Sequence, residues 1–263
     1  MDLESLCQHV ALIARDTGKF LLHERKGFDN SKIERKGHND LVSYVDKTAE
    51  KRLVEALSIV LPKAGFIAEE KTAEKKGERF DWIIDPLDGT TNFVHGIPLY
   101  CVSIGLYENG QPVLGVVYEP NLDECFTAWK NGGAYLNGKS IRVSETTRMS
   151  DSLLATGFPY HDYGKMKPYM EVFDHCMRNT RGLRRLGSAA ADLAYVAAGR
   201  FDAFYEYGLN TYDVAGGIML VIEAGGNVTD FSGGLGHLQG KEIIASNKKI
   251  HSEFLEVLKT HFD

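Results

Sequence analysis

Three acidic clusters hold the residues most able to do chemistry. Ala68-Glu69-Glu70 closes a short apolar run, Asp85-Pro86-Leu87-Asp88-Gly89-Thr90-Thr91-Asn92 closes another, and Thr211-Tyr212-Asp213 opens a third. Pro86 fixes how the chain leaves its apolar run and removes one backbone donor. Asp85 and Asp88, three apart, can face one point in a turn. Gly89 permits close backbone approach to a ligand. A helix beginning at 89–91 would aim its free N–H groups at the same point and favour an oxyanion. Carboxylates beside such a helix start suit a hard divalent cation holding a phosphate, Mg²⁺ being the usual case. Taken singly, each acid has a plainer role. Asp85 and Asp88 could cap a turn or helix, Glu69 could be a surface acid, and Asp213 could sit at a helix start for the dipole alone. The ensemble favours a site.

These residues need elements to position them. Helical spacing runs through 3–22, with Leu3, Cys7, Val10, Ile13, Ala14 and Leu21, and again through about 44–61, ended by Pro62 and Gly65. Residues 25–40 are polar and glycine-containing, and read as a loop. Strand-like runs at 65–68 and 80–84 lead into the first two acidic clusters. Residues 99–144 read as antiparallel strands (99–107, 112–118, 124–129 and around 141–143). They are punctuated by Asn109-Gly110, Asn131-Gly132-Gly133 and Asn137-Gly138, pairs suited to hairpin turns that need positive φ. After about 145 the texture alternates: strand 153–157, helices 165–178 and 188–198, strand 201–206, helix 212–224, strands 227–230 and 242–246, helix 250–261. The predicted class is α+β, helices layered against sheets. The expected division is an N-terminal α+β half, 1–145, with the first two acidic clusters, and a C-terminal α/β half, 146–263, that completes the site; the two form one compact unit.

Composition narrows the function classes. The chain has 263 residues, 43% hydrophobic and 25% charged, which excludes global disorder. Its net charge of −6 disfavours a general nucleic-acid or acidic-membrane binder. Cys7, Cys101, Cys125 and Cys176 are scattered, and read as reduced thiols rather than a disulfide framework. The start, Met1-Asp2-Leu3-Glu4, has no basic or long apolar segment, and the longest apolar run, Val214 to Ile222, is far short of a membrane span. A cytoplasmic protein without membrane contact is expected. His95 and His161 read as surface or packing histidines. Arg184-Arg185 precedes Gly187-Ser188 and suits either a phosphate or partner contact or a solvated or interface ion pair.

The order and wording of the motifs resemble the inositol monophosphatase family: Glu69-Glu70, then Asp85-Pro86-Leu87-Asp88-Gly89-Thr90-Thr91-Asn92-Phe93, then Asp213-Val214-Ala215-Gly216 with Glu223-Ala224-Gly225-Gly226. The likeness spans nearly the whole chain. It implies a layered αβαβα sandwich of the sugar-phosphatase type and a Mg²⁺-dependent, lithium-sensitive phosphomonoesterase that is commonly a homodimer, with two or three Mg²⁺ per site. By the same resemblance Glu69, Asp85 and the Leu87 carbonyl hold a first metal. Asp85, Asp88 and Asp213 hold a second, and Glu69 with waters touches a third. The Gly89 and Thr90 amides bind phosphate, beside Thr91. Thr90 with Asp46 orients or deprotonates the attacking water, and Lys36 approaches from the 25–40 loop. Asp88, Gly187, Ser188, Ala189 and Glu206 line the alcohol pocket, Glu206 by bonding a substrate hydroxyl. Two positions depart from the family's habit: Tyr212 stands where Trp is usual, and Gly216-Gly217 where alanines are frequent. Both bear on packing behind the site.

The implied reaction is hydrolysis of a small phosphate ester, most simply myo-inositol monophosphate, by water activated on metal and without a covalent intermediate. Alternatives within the chemistry are fructose-1,6-bisphosphate, histidinol phosphate or 3′-phosphoadenosine 5′-phosphate. The alternative outside it is a non-catalytic regulatory binding protein.

Overall fold

The computed structural model describes residues 1–28, 33–35, 41–159, 162–236 and 241–262; Lys36 and His161 lie outside these. The described elements are α1 (Leu3–Lys26), β1 (Ile33–Arg35), β2 (Leu41–Ser43), α2 (Tyr44–Val60), β3 (Gly65–Ala68), β4 (Phe80–Asp88), α3 (Thr90–His95), β5 (Cys101–Glu108), β6 (Gln111–Glu119), β7 (Glu124–Trp129), β8 (Gly133–Leu136) and β9 (Lys139–Ile141). After a single 3₁₀ turn at Met149–Asp151 come β10 (Leu153–Thr156), α4 (Met166–Asn179), β11 (Gly182–Arg184), α5 (Ala189–Ala197), β12 (Ala203–Tyr207), α6 (Thr211–Glu223), β13 (Asn227–Thr229), β14 (Glu242–Ser246) and α7 (His251–Phe262).

Two large sheets organise the molecule. One has seven strands in the order β3-β4-β5-β6-β7-β8-β9, parallel between β3 and β4 and antiparallel thereafter. The other has five, β11-β10-β12-β14-β13, with β10 parallel to both of its neighbours and β14 antiparallel to both of its own. Helices α1 and α2 cover one face of the seven-stranded sheet. Helices α5 and α6 fill the space between the sheets, and α4 and α7 cover the outer face of the five-stranded one. The layers therefore read αβαβα. Among the described residues no helix is long and apolar enough to cross a membrane.

Local chemistry explains these elements. Asp2 caps α1 by accepting from the Ser5 amide at 3.2 Å, and Leu6, Cys7, Val10, Ala14 and Leu21 form its buried stripe. Burying each Leu or Val adds about 1.5–3 kcal/mol relative to exposure. Asn109-Gly110 and Asn137-Gly138 take positive φ in both residues, so β5–β6 and β8–β9 close as tight hairpins.

Some elements differ from their sequence-based outlines. β1 lies inside the stretch read as loop, because a three-residue strand is too short for a periodic signal. β4 runs on through Pro86 to Asp88. Opposite it, β5 supplies one residue fewer between the partners Asp85↔Ser103 and Asp88↔Cys101, so the ladder bulges where proline has no N–H to give. The four cysteines are free and buried. Burial pushes Cys7 up to about 12, Cys125 to about 11 and Cys176 to about 12, which makes them packing groups rather than nucleophiles.

Candidate active site

The bulge in β4 sets the site. It turns Asp85 and Asp88 toward the same cavity, and the Leu87 amide donates to Asp85 Oδ1 at 2.9 Å, which holds the turn. The parallel register runs Ala68↔Ile84, so the next residue, Glu69, comes level with Asp85. The Glu69 charge adds to burial in raising the Asp85 pKa. Gly89 follows at φ 100°, ψ 34° as the N-cap of α3. A β-carbon there would meet the Gly187 carbonyl at 3.2 Å and the Leu99 carbonyl at 3.3 Å, so both conformation and space call for glycine.

Helix α2 supplies two buried acids, Asp46 and Glu50. Asp46 is fully buried and forms a capping box: its Oδ2 accepts from the Ser43 amide at 2.8 Å and the Ser43 hydroxyl at 2.7 Å. Its Oδ1 lies 2.9 Å from Thr90 Oγ1, and that hydroxyl is also 3.1 Å from the Leu87 carbonyl. Burial raises the Asp46 pKa, opposed by the Ser43 and Thr90 bonds. One turn on, Glu50 is fully buried and accepts from the Glu70 amide at 2.6 Å and from the Thr72 amide and hydroxyl at 2.7 Å each. It pins the segment after Glu69 to α2. Sequence reading missed Glu50, although Asp46 and Glu50 share the helical stripe that continues through Leu53 and Leu57. Acids on an apolar stripe were the available signal.

Helices α5 and α6 complete the ring. Ser188 caps α5 by accepting from the Ala191 amide at 3.2 Å, and its hydroxyl donates to Asp88 Oδ2 at 2.7 Å; the Ala190 amide donates to the same oxygen at 2.6 Å. Burial still dominates and pushes Asp88 up to about 6, with those two bonds and the Arg185 charge opposing. Asp213 stands in the first turn of α6, where its Oδ2 accepts from the Asn210 amide at 2.6 Å. The Tyr107 hydroxyl donates to the Ala215 carbonyl at 3.2 Å and anchors that turn to β5, with Tyr212 packed alongside. Asn92 Nδ2 donates to the Leu99 and Leu186 carbonyls, at 2.8 and 2.9 Å, and ties the loop before α5 to α3.

All of this surrounds one cavity of about 140 Å³. Its walls carry Glu69, Asp85, Leu87, Asp88, Gly89, Thr90, Thr91, Gly187, Ser188, Ala189, Glu206 and Asp213, the sequence-expected positions, with Tyr212. Asp46 reaches it through Thr90. Lys36 is outside the described residues, and His95 is exposed at the end of α3. Arg184 is exposed, whereas Arg185 lines the cavity with its guanidinium 5.6 Å from the Phe158 ring centre. Six wall residues were not foreseen: Gly157, Phe158, Asp192, Gly208, Leu209 and Asn210. Gly157 follows β10 beside Glu206, since Thr156 pairs with Tyr205, and any side chain there would overlap the Glu206 carboxyl.

The donor chemistry fits a hard cation. The groups facing the cavity at its β4 end are carboxylates and one carbonyl, with no thiol or imidazole among the described residues. Burial, together with the charges of Glu69, Asp88 and Asp213, pushes Asp85 well above the usual carboxylate range. Carboxyls so placed require a proton or a cation among them. Among the described residues no three of these acids close on one point as a finished ligand set; they ring the cavity instead.

The whole chain has the same character when set beside known proteins. Residues 2–262 match the sequence model of the inositol monophosphatase family. An inositol-1-monophosphatase of Mesorhizobium japonicum is 41% identical over 247 residues, covering 94% of this chain and 93% of its own. The Nus factor SuhB of Pseudomonas aeruginosa is 41% identical over 253 residues, covering 94% and 93%. The crystal structure of the extragenic suppressor protein suhB of Bartonella henselae superposes with a TM-score of 0.91 at 41% identity, covering 97% of this chain and 98% of that one. A match that runs from end to end, on a fold of the same layers, makes this chain a phosphatase of the inositol monophosphatase family.

Proposed function

We propose that the chain hydrolyses the phosphate monoester of a small polyol, myo-inositol monophosphate first, in a Mg²⁺-dependent reaction. The observation that carries this is the convergence, on one cavity, of Glu69, Asp85, Asp88 and Asp213 beside the Thr90–Asp46 pair. Glu69, Asp85 and the Leu87 carbonyl would hold one Mg²⁺, and Asp85, Asp88 and Asp213 a second, with Glu69 reaching a third through water. When bound, the ions neutralise charge on the transferred phosphoryl group and acidify water. The protein's own groups do the rest. The Gly89 and Thr90 amides at the start of α3 bind phosphate oxygens, beside Thr91. The Thr90 hydroxyl orients the attacking water, and Asp46, held by Ser43, accepts its proton through that hydroxyl. Asp88, fixed by Ser188 and Ala190, faces the leaving alcohol, and Gly187, Ala189 and Glu206 line its pocket; Lys36 approaches from outside the described residues. Lithium sensitivity, a homodimer and a cytoplasmic location belong to the same reading.

A panel of esters tests it. Mg²⁺-dependent phosphate release should be fastest with myo-inositol 1-phosphate and slower with fructose 1,6-bisphosphate, histidinol phosphate and 3′-phosphoadenosine 5′-phosphate. Asp88→Asn should lower kcat by about a hundredfold or more, with the thermal transition retained. The relatives named Nus factor support a second reading, a regulatory protein that acts through binding a partner. Absence of metal-dependent release from every ester would favour it.

A further inference from the structure

Two acids in the cavity wall have no place in the proposed metal site. Asp192, in the first turns of α5, is 1% exposed, and its Oδ1 has no hydrogen-bond partner among the described residues. Glu206, on β12, is 6% exposed. Both line the cavity together with Ser188 and Asp88. Burial drives each well above its usual range. Each feels the other residues' charges: Asp192 that of Glu206 and Asp88, Glu206 that of Asp213 and Asp88. Arg185, the one cation in the wall among the described residues, works against this at both. A guanidinium balances one carboxylate, not two. A buried acceptor without a donor costs free energy that native proteins rarely leave uncompensated. The chain also keeps space for these groups: Gly157 bears no side chain where one would overlap the Glu206 carboxyl. What Asp192 Oδ1 lacks is a donor, and a molecule rich in hydroxyls supplies one.

We infer that Asp192 is a specificity-determining residue: its buried carboxyl, beside that of Glu206, accepts hydroxyls of the leaving alcohol, directly or across one ordered water. The inference rests on the phosphatase reading above and narrows its substrate class. The site selects phosphate esters of polyols. It discriminates against esters without free hydroxyls, which leave Asp192 unpaired. It also discriminates against a second phosphate at this end, which would meet two acids and one arginine.

Steady-state kinetics of the full chain with saturating Mg²⁺ decide the matter. The substrates are myo-inositol 1-phosphate and 4-nitrophenyl phosphate, and the proteins are the wild type and Asp192→Asn, an isosteric change. The ratio of kcat/KM for the polyol ester to that for the aryl ester should fall at least about tenfold in the variant. Equal loss on both substrates overturns the inference. Deoxy analogues of the inositol ester test it from the substrate side. At least one hydroxyl deletion should cost the wild type about tenfold or more and cost Asp192→Asn nothing further. If every deletion costs the two proteins the same, Asp192 takes no hydroxyl. A wild type that hydrolyses neither ester would instead overturn the phosphatase reading itself.

Discussion

Thr90 sets one hydroxyl between two acceptors, the Asp46 carboxylate at 2.9 Å and the Leu87 carbonyl at 3.1 Å. A hydroxyl has a single proton, so it bonds one and keeps the other as an alternative. Asp46→Asn exploits that freedom. The amide oxygen can still accept from Ser43, the amide NH₂ can donate to Thr90, and Thr90 can turn to Leu87. The folded network survives while the proton acceptor is gone. Turnover should fall by about 10²–10⁴, with a thermal transition little changed; phosphate release within a few-fold of wild type would remove Asp46 from the chemistry. This scale was the most legible in the sequence where the residues were contiguous. Asp85 through Asn92 announced a strand end, a turn and a helix start, and the structure has all three. Gly157 and Asp192 were not legible, because their meaning lies in partners far along the chain, Glu206 for the first and the wall as a whole for the second; Glu50 showed only as an acid on an apolar stripe, without its partners Glu70 and Thr72.

At the scale of elements, α5 and α6 are packed more closely than ordinary side chains allow. A β-carbon on Gly217 would lie 2.5 Å from Leu193 Cβ, and one on Gly216 2.8 Å from Ser103 Oγ. The pair thus lets α6 press on α5 with one face and on the seven-stranded sheet with another. This gives a physical reason for the glycines that stood out as a departure from the family's habit. Gly217→Ala adds helix propensity of about 1 kcal/mol and overpacking of about 1–3 kcal/mol. Leu193 Cβ is fixed to its helix, so the second effect prevails. The net loss should reach up to about 2 kcal/mol, and each kcal/mol should lower Tm by about 2–4 °C. The substitution would also push apart the helices that carry Asp213 and Ser188. A variant as stable as the wild type would show that the two helices separate freely. Helix periodicity predicted both elements; the distance between them could not be read from it.

At the scale of the whole molecule, acid acts on groups of opposite sign. His251 opens α7, with Nδ1 2.7 Å from Ser246 Oγ and Nε2 3.2 Å from Thr229 Oγ1, and burial lowers its pKa below 6.5. The unfolded chain therefore binds a proton below about pH 6.5 that the folded chain resists, and stability falls as pH drops through that window. The raised carboxyls of Asp192 and Glu206 work the other way, since they favour the folded state at lower pH and lose that contribution as pH rises. Comparison with His251→Asn isolates the imidazole. The wild type's Tm advantage over the variant should shrink between about pH 7.5 and about pH 5.5; a constant advantage would mean that His251 does not sense the change. One further consequence belongs here. The carboxylate of Asp88 is held by Ser188 and Ala190, which follow it by 100 and 102 residues. The cavity thus exists only after loops of about a hundred residues have closed. A ligand gripped there arrives too late to hasten folding. It lengthens instead the lifetime of the folded molecule, by burdening the step in which the two sheets part.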